Sequence, residues 1–257
     1  MWTRALPILI AAMFLTACAA PSEAVAARSG SAPPLRWRAV FVAGDPSLPV
    51  WDNAARRFAE RLQASGYGVP GAITRITARR SETASGAQLG GRAAALAAIT
   101  ALRPQRGEGC LVFLTMHGGP NSGLHFEPAH ERLMPAELDA ALSRGCGNAP
   151  TLVITSGCFT GIFARAPMAR PNRIVMTAAR PDRSSFGCGA DFELTVFDGC
   201  LLQSLESGGP VAVVWQEATA CVRAEEVRRR VTPPSEPVWH AGRIVRDLAL
   251  PPLQPSS

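Results

Sequence analysis

The chain has 257 residues, 47% hydrophobic and 18% charged, which is enough to bury one core of α/β size as a single domain and too apolar for a disordered chain. Its formal charge of +6 comes from 26 arginines and no lysine, mixed with acids except at Arg228-Arg229-Arg230. No aromatic-interleaved basic patch accompanies them, so they read as solvated helix faces and no nucleic-acid partner is expected.

In chain order, the N-terminus reads as an address. Arg4 and the apolar run Leu6–Leu15 have the pattern of an export signal, and the run is too short to span a bilayer. It ends in Leu15-Thr16-Ala17-Cys18, which resembles the bacterial lipobox; the alternative is an ordinary signal peptide with an incidental cysteine. The resemblance implies a signal peptide over 1–17 and a lipid on Cys18 that anchors a periplasm-facing chain to the membrane. No aspartate follows Cys18, so the outer membrane is expected rather than the inner. Residues 18–35, rich in Ala, Ser, Gly and Pro, read as a tether, 36–250 as the folded domain and 251–257 as a Pro-rich tail.

Beyond the tether, strands alternate with helices. Arg36–Ala43 is a predicted strand, and residues 50–65 form an amphipathic helix with Trp51, Ala54, Ala55, Phe58 and Leu62 on one face. A strand over 72–77 and an alanine-rich helix over 88–102 follow. The apolar run 111–116 leads into His117-Gly118, then come a loop over 118–133, a helix over 135–144, and a second apolar run, 151–155, that leads into Ser156-Gly157-Cys158. A strand over 173–178 and helices over 192–206 and 210–229 complete the pattern. Such alternation predicts right-handed βαβ units in a mostly parallel sheet with helices on both faces.

The ligand crevice of such a sheet lies beyond the carboxyl ends of its strands, where His117 and Cys158 both fall. A free thiol has a pKa of about 8.5 and attacks as its thiolate, so a nearby imidazole is the partner a cysteine nucleophile needs. If the two strands are neighbours, the backbone N–H groups of Gly118 and Cys158 are positioned as an oxyanion hole.

Of seven cysteines, assigning Cys18 to lipid and Cys158 to chemistry leaves five, hence at most two disulfides. Cys110–Cys146 and Cys188–Cys200 are the pairings expected. No Cys-x-x-Cys pair stands at zinc spacing, and His125 and His130 have no ligand set at metal spacing around them. Residues 118–123 are glycine-rich but lack the lysine of a phosphate loop and read as an active-site rim. The bland alternatives are a core cysteine at 158 and a structural histidine at 117, but both sit beside glycines at strand ends.

The run ending at His117-Gly118, the run ending at Cys158, and the segment Thr177-Ala178-Ala179-Arg180-Pro181-Asp182-Arg183-Ser184-Ser185-Phe186-Gly187-Cys188 together resemble the legumain (asparaginyl endopeptidase) family of cysteine peptidases. Phe41-Val42-Ala43-Gly44 and Thr232-Pro233-Pro234-Ser235 extend the similarity over most of 36–245. The resemblance implies a caspase-like three-layer α/β sandwich and a His117–Cys158 dyad. It also implies a peptide or protein substrate and no metal or organic cofactor. Ser184 and Ser185 fall where the family lines its substrate pocket.

Departures stand beside these matches. The family's pocket uses an Arg-His pair near the start of the first helix and an acid two positions before the cysteine. Here those places hold Asp52-Asn53 and Ser156. An acid at 52 would favour arginine or lysine at the cleaved position by charge pairing. The family's second acid has no assigned match, with Asp198 nearby. Three functions fit: a thiol hydrolase, a transamidase on the same scaffold, and a non-catalytic envelope lipoprotein.

Overall fold

Apolar runs buried on both faces become the central strands of a seven-stranded sheet in the computed structural model, which describes residues 1, 2 and 34–255. The export signal, Cys18 and nearly all of the tether lie outside the described residues. The sheet runs β11-β9-β8-β4-β1-β2-β3, where β1 is Arg36–Ala43, β2 Gly68–Thr77, β3 Gln88–Leu89, β4 Glu108–Thr115, β8 Thr151–Ser156, β9 Arg173–Thr177 and β11 Val238–Ala241. All pairs are parallel except β11 with β9. A second, three-stranded sheet comprises β5 (Gly118–Gly119), β6 (Gly123–Phe126) and β7 (Glu131–Leu133). Two short strands, β10 (Gly209–Pro210) and β12 (Ala249–Leu250), pair with each other.

Alternation along the strands makes the three layers. Trp37, Phe41, Leu111, Phe113 and Ile154 face helices α1 (Pro49–Ala64), α4 (Val196–Ser204) and α5 (Val211–Arg228). Val40, Val112, Leu114, Val153 and Val175 face α2 (Arg92–Thr100) and α3 (Pro135–Cys146). Pro49 in the first turn of α1 supplies a φ already suited to a helix, and Phe58 then packs on Phe113 with ring centroids 4.5 Å apart. Arg173 is the charged residue among the buried strand positions described: its Nη1 meets Asp139 of α3 at 2.6 Å.

Several boundaries move. Residues 88–89 join the sheet rather than the following helix, which begins only at Arg92, beyond Gly90-Gly91. Helix α4 starts at Val196 rather than 192, because the Thr195 hydroxyl accepts the N–H of Asp198 and caps it there. The expected loop 118–133 is the small sheet, and β11 is an unforeseen edge strand held by the stack of Trp239 on Trp215, centroids 5.6 Å apart. Cys110 pairs with Cys146 as expected. Cys200 pairs with Cys221 on the neighbouring helix, leaving Cys188 free in the preceding loop. No helix among the described residues is long and apolar enough to cross a membrane.

Candidate active site

Strand order reverses at β1, and on one side of that point β4 and β8 lie next to each other in register, Thr115 opposite Ser156. The ladder continues one step further, with Met116 N–H donating to Ser156 O at 3.1 Å. His117 and Cys158 therefore stand two residues beyond a paired position, just past the ends of neighbouring strands. Both are half-buried.

Each is fixed from behind. The His117 carbonyl accepts the His125 N–H at 2.8 Å, clamping it to β6, and its ring meets the edge of Trp51 at 4.7 Å between centroids. Trp51 stands in the first turn of α1 and is buried. The sulfur of Cys158 accepts the Ser185 N–H at 3.3 Å and lies 3.8 Å from Ser185 Oγ. The Cys158 N–H donates to no acceptor among the described residues, and Phe159 after it turns the backbone at φ 60°.

Glycine lets the two strand ends close on each other. A Cβ on Gly118 would lie 2.2 Å from the Cys158 carbonyl oxygen, and one on Gly157 2.5 Å from the Met116 carbonyl oxygen. Gly118→Ala must push the histidine and cysteine segments apart. An ångström of misplacement typically costs about 100-fold in rate, and that loss in kcat with a folded protein by circular dichroism is the expected outcome.

Beneath the pair lies a buried acid. Asp198 of α4 is fully buried, and its Oδ2 accepts the Thr115 hydroxyl at 3.1 Å. Among the described residues, neither Asp198 Oδ1 nor Ser156 Oγ meets a partner in hydrogen-bond geometry. Burial pushes the Asp198 carboxyl from 3.8 up to about 6, against the opposing influence of the Ser156, Thr195 and Thr115 hydroxyls. An unfolded chain gives up this proton first, so stability falls as pH rises from about 4 to about 6, by about 3 kcal/mol. Asp198→Asn removes that dependence. It should melt higher than the wild type at pH 8, by up to about that amount, and alike near pH 3.5, in thermal scans at both values.

The structure does not gather all the sequence-predicted pocket residues. Ser185 stands at the sulfur, Ser184 is exposed beside it, and Ser156 is buried and points toward Asp198's layer. Asp52 is held elsewhere, at the end of β2, where Thr77 Oγ1 and Arg79 Nε donate to its two oxygens at 2.6 and 3.1 Å. The charge expected to select a substrate arginine or lysine is thus paired with Arg79 within the chain. Asn53 donates to the Glu193 carbonyl at 3.1 Å and so ties α1 to the loop after Ser185. His125 Nε2 lies 2.9 Å from Ser122 Oγ, and His130 Nδ1 lies 2.7 Å from Glu127. Burial and Arg132 hold the His125 imidazole below its usual range. Trp51 and Thr115 carried no sequence signal for the site, because only the folded register brings them there.

A cleft of about 680 Å³ opens three residues beyond Cys158, between Gly161, Arg165, Arg180, Asp182, Val238 and Trp239. Neither His117 nor Cys158 is among its lining residues.

Residues 87–205, which hold both strand ends and the loop between Cys158 and α4, match the profile of the Peptidase C13 family. No curated protein matches the chain. Among solved structures, caspase-1 from Spodoptera frugiperda aligns at 11% identity with a TM-score of 0.54, over 81% of this chain and 88% of its own. A protein from Geobacter sulfurreducens aligns at 16% identity and 0.56, over 86% of this chain and all of its own. Pro-sf-caspase-1 aligns at 12% and 0.57, over 80% and 87%. At these identities the structures establish the fold alone, and it is the caspase-like one.

Proposed function

We propose that the chain, whose residues 87–205 match the Peptidase C13 family, is a cysteine endopeptidase working through a His117–Cys158 dyad and a thioester acyl-enzyme. The observation that supports this reading is the β4–β8 register, which pairs Thr115 with Ser156, so that His117 and Cys158 each follow two residues later on adjacent parallel strands. Cys158 Sγ attacks the scissile carbonyl carbon. The oxygen that becomes negative is met by the Cys158 N–H, which has no other acceptor, and by the Gly118 N–H. His117 passes a proton to the departing amine, and water then releases the acyl group as an acid.

The test is covalent. A peptidyl acyloxymethyl ketone should label the wild type on the peptide containing Cys158, and a peptide library should be cut by the same preparation. No label and no cut peptide would refute the reading.

The setting follows from a separate argument. The Leu15-Thr16-Ala17-Cys18 sequence supports a lipid-anchored protein facing the periplasm at the outer membrane, and two disulfides suit an oxidising compartment. Expressed in a Gram-negative host, the chain should partition with membranes, and Cys18→Ala should release it. Equal partition of the two would remove the lipid from the account.

A further inference from the structure

Four of the six described cysteines are paired, which leaves two thiols, Cys158 and Cys188, both half-exposed. They belong to the same small region. Ser185 has its backbone N 3.3 Å from the Cys158 sulfur, and Cys188 is three residues further along the same loop. Three residues span at most about 11 Å, and a disulfide needs Cα atoms within about 7 Å, so a modest bend of the loop brings the sulfurs together.

The loop is built to allow it. No helix or strand is formed between 178 and 195, and the backbone of Cys188 makes no hydrogen bond to another of the described residues. Its neighbours differ in freedom. Gly187, at φ +91°, is held against α4, where a Cβ would lie 2.7 Å from Val196 N, while Gly189 on the other side has only ordinary contacts. Cys188 thus hangs between a fixed point and a loose one. Burial first, and then the nearby Cys158 sulfur, push the Cys188 thiol up.

We propose that Cys188 is a resolving cysteine for Cys158: a small-molecule disulfide oxidises the pair to a Cys158–Cys188 disulfide that occupies the nucleophilic sulfur and is reopened by a dithiol. The Cys158 thiolate attacks one sulfur of the small disulfide, forming a mixed disulfide and expelling one small thiolate. The Cys188 thiolate then attacks the Cys158 sulfur and expels the second. Two electrons pass from the protein to the reagent, which leaves as two thiols carrying the two protons. The loss of activity rests on the proposed role of Cys158; the linkage itself does not.

Full-length protein is incubated with oxidised glutathione, blocked with N-ethylmaleimide and mapped by mass spectrometry after digestion. The wild type should yield the Cys158 and Cys188 peptides joined and two hydrogens lighter, should lose its peptidase activity, and should regain it with dithiothreitol. Cys188→Ser should instead carry one glutathione on Cys158. A wild type that accumulates glutathione on Cys158 while Cys188 is alkylated overturns the proposal, as does linkage of Cys158 to any other cysteine. A joined pair in a protein with no peptidase activity when reduced would uphold the linkage and overturn the function proposed above.

Discussion

Cys158→Ala should lower kcat/KM by about 10⁴-fold or more, the scale seen when a covalent nucleophile is removed from a working unit. The thiol side chain is half-exposed and its hydrogen bonds among the described residues are with Ser185 alone, so melting temperature should change little and the loss is chemical rather than structural. His117→Ala should cost a similar factor, and the double variant should be no slower than the single cysteine variant, because neither group works without the other. Steady-state cleavage of one fluorogenic peptide by all three variants, with circular dichroism melts alongside, checks this. A double variant slower by the product of the two factors would mean that His117 and Cys158 act independently.

The largest effect on stability is expected far from the crevice, at Asp139 of α3. Its carboxylate accepts from Arg170 Nε and Nη2 and from Arg173 Nη1, each at 2.6 Å, and Arg173 also reaches Ser143 Oγ at 3.1 Å. Burial alone would raise the Asp139 carboxyl, but the two arginines hold it below the usual carboxylate range. Asp139→Ala strands the Arg173 guanidinium, buried in β9, without its counter-charge. Breaking such a pair from one side typically costs about 3–5 kcal/mol, so the urea midpoint should drop sharply. Arg173→Met combined with Asp139→Leu should recover most of the loss, since an apolar pair of similar volume carries no desolvation cost. The native pair also predicts acid sensitivity: its contribution is full above the ordinary aspartate range and is lost as pH falls through the lowered value.

The central strands were legible because parallel strands covered on both faces read as unbroken apolar runs, and 111–116 and 151–155 are such runs. His117 and Cys158 stood out for the same reason, each being the first reactive residue after one of them. Helix α4 was read four residues too long at its start, since Phe192 and Leu194 continue the apolar pattern and only the Thr195 hydroxyl shows where the helix begins. Strand β11 escaped because four residues at a sheet edge carry little periodicity. Cys200 was matched with the wrong partner because sequence distance favoured Cys188, whereas the packing of α4 on α5 brings Cys221 to it. Asp52 illustrates the limit most clearly. An acid near the right place in the sequence is, in the fold, the counter-ion of Arg79.

The crevice has unlike banks. One is the β5–β7 sheet, hydrogen-bonded throughout and clamped to His117. The other, residues 183–194, is irregular chain fastened to α1 chiefly where Asn53 and Arg57 hold Glu193. On the function proposed above, reactivity is housed in the hydrogen-bonded bank, and discrimination between peptides falls to the irregular one. A graft of residues 183–194 from a relative should transplant that relative's taste in substrates and leave the chemistry running at its former pace.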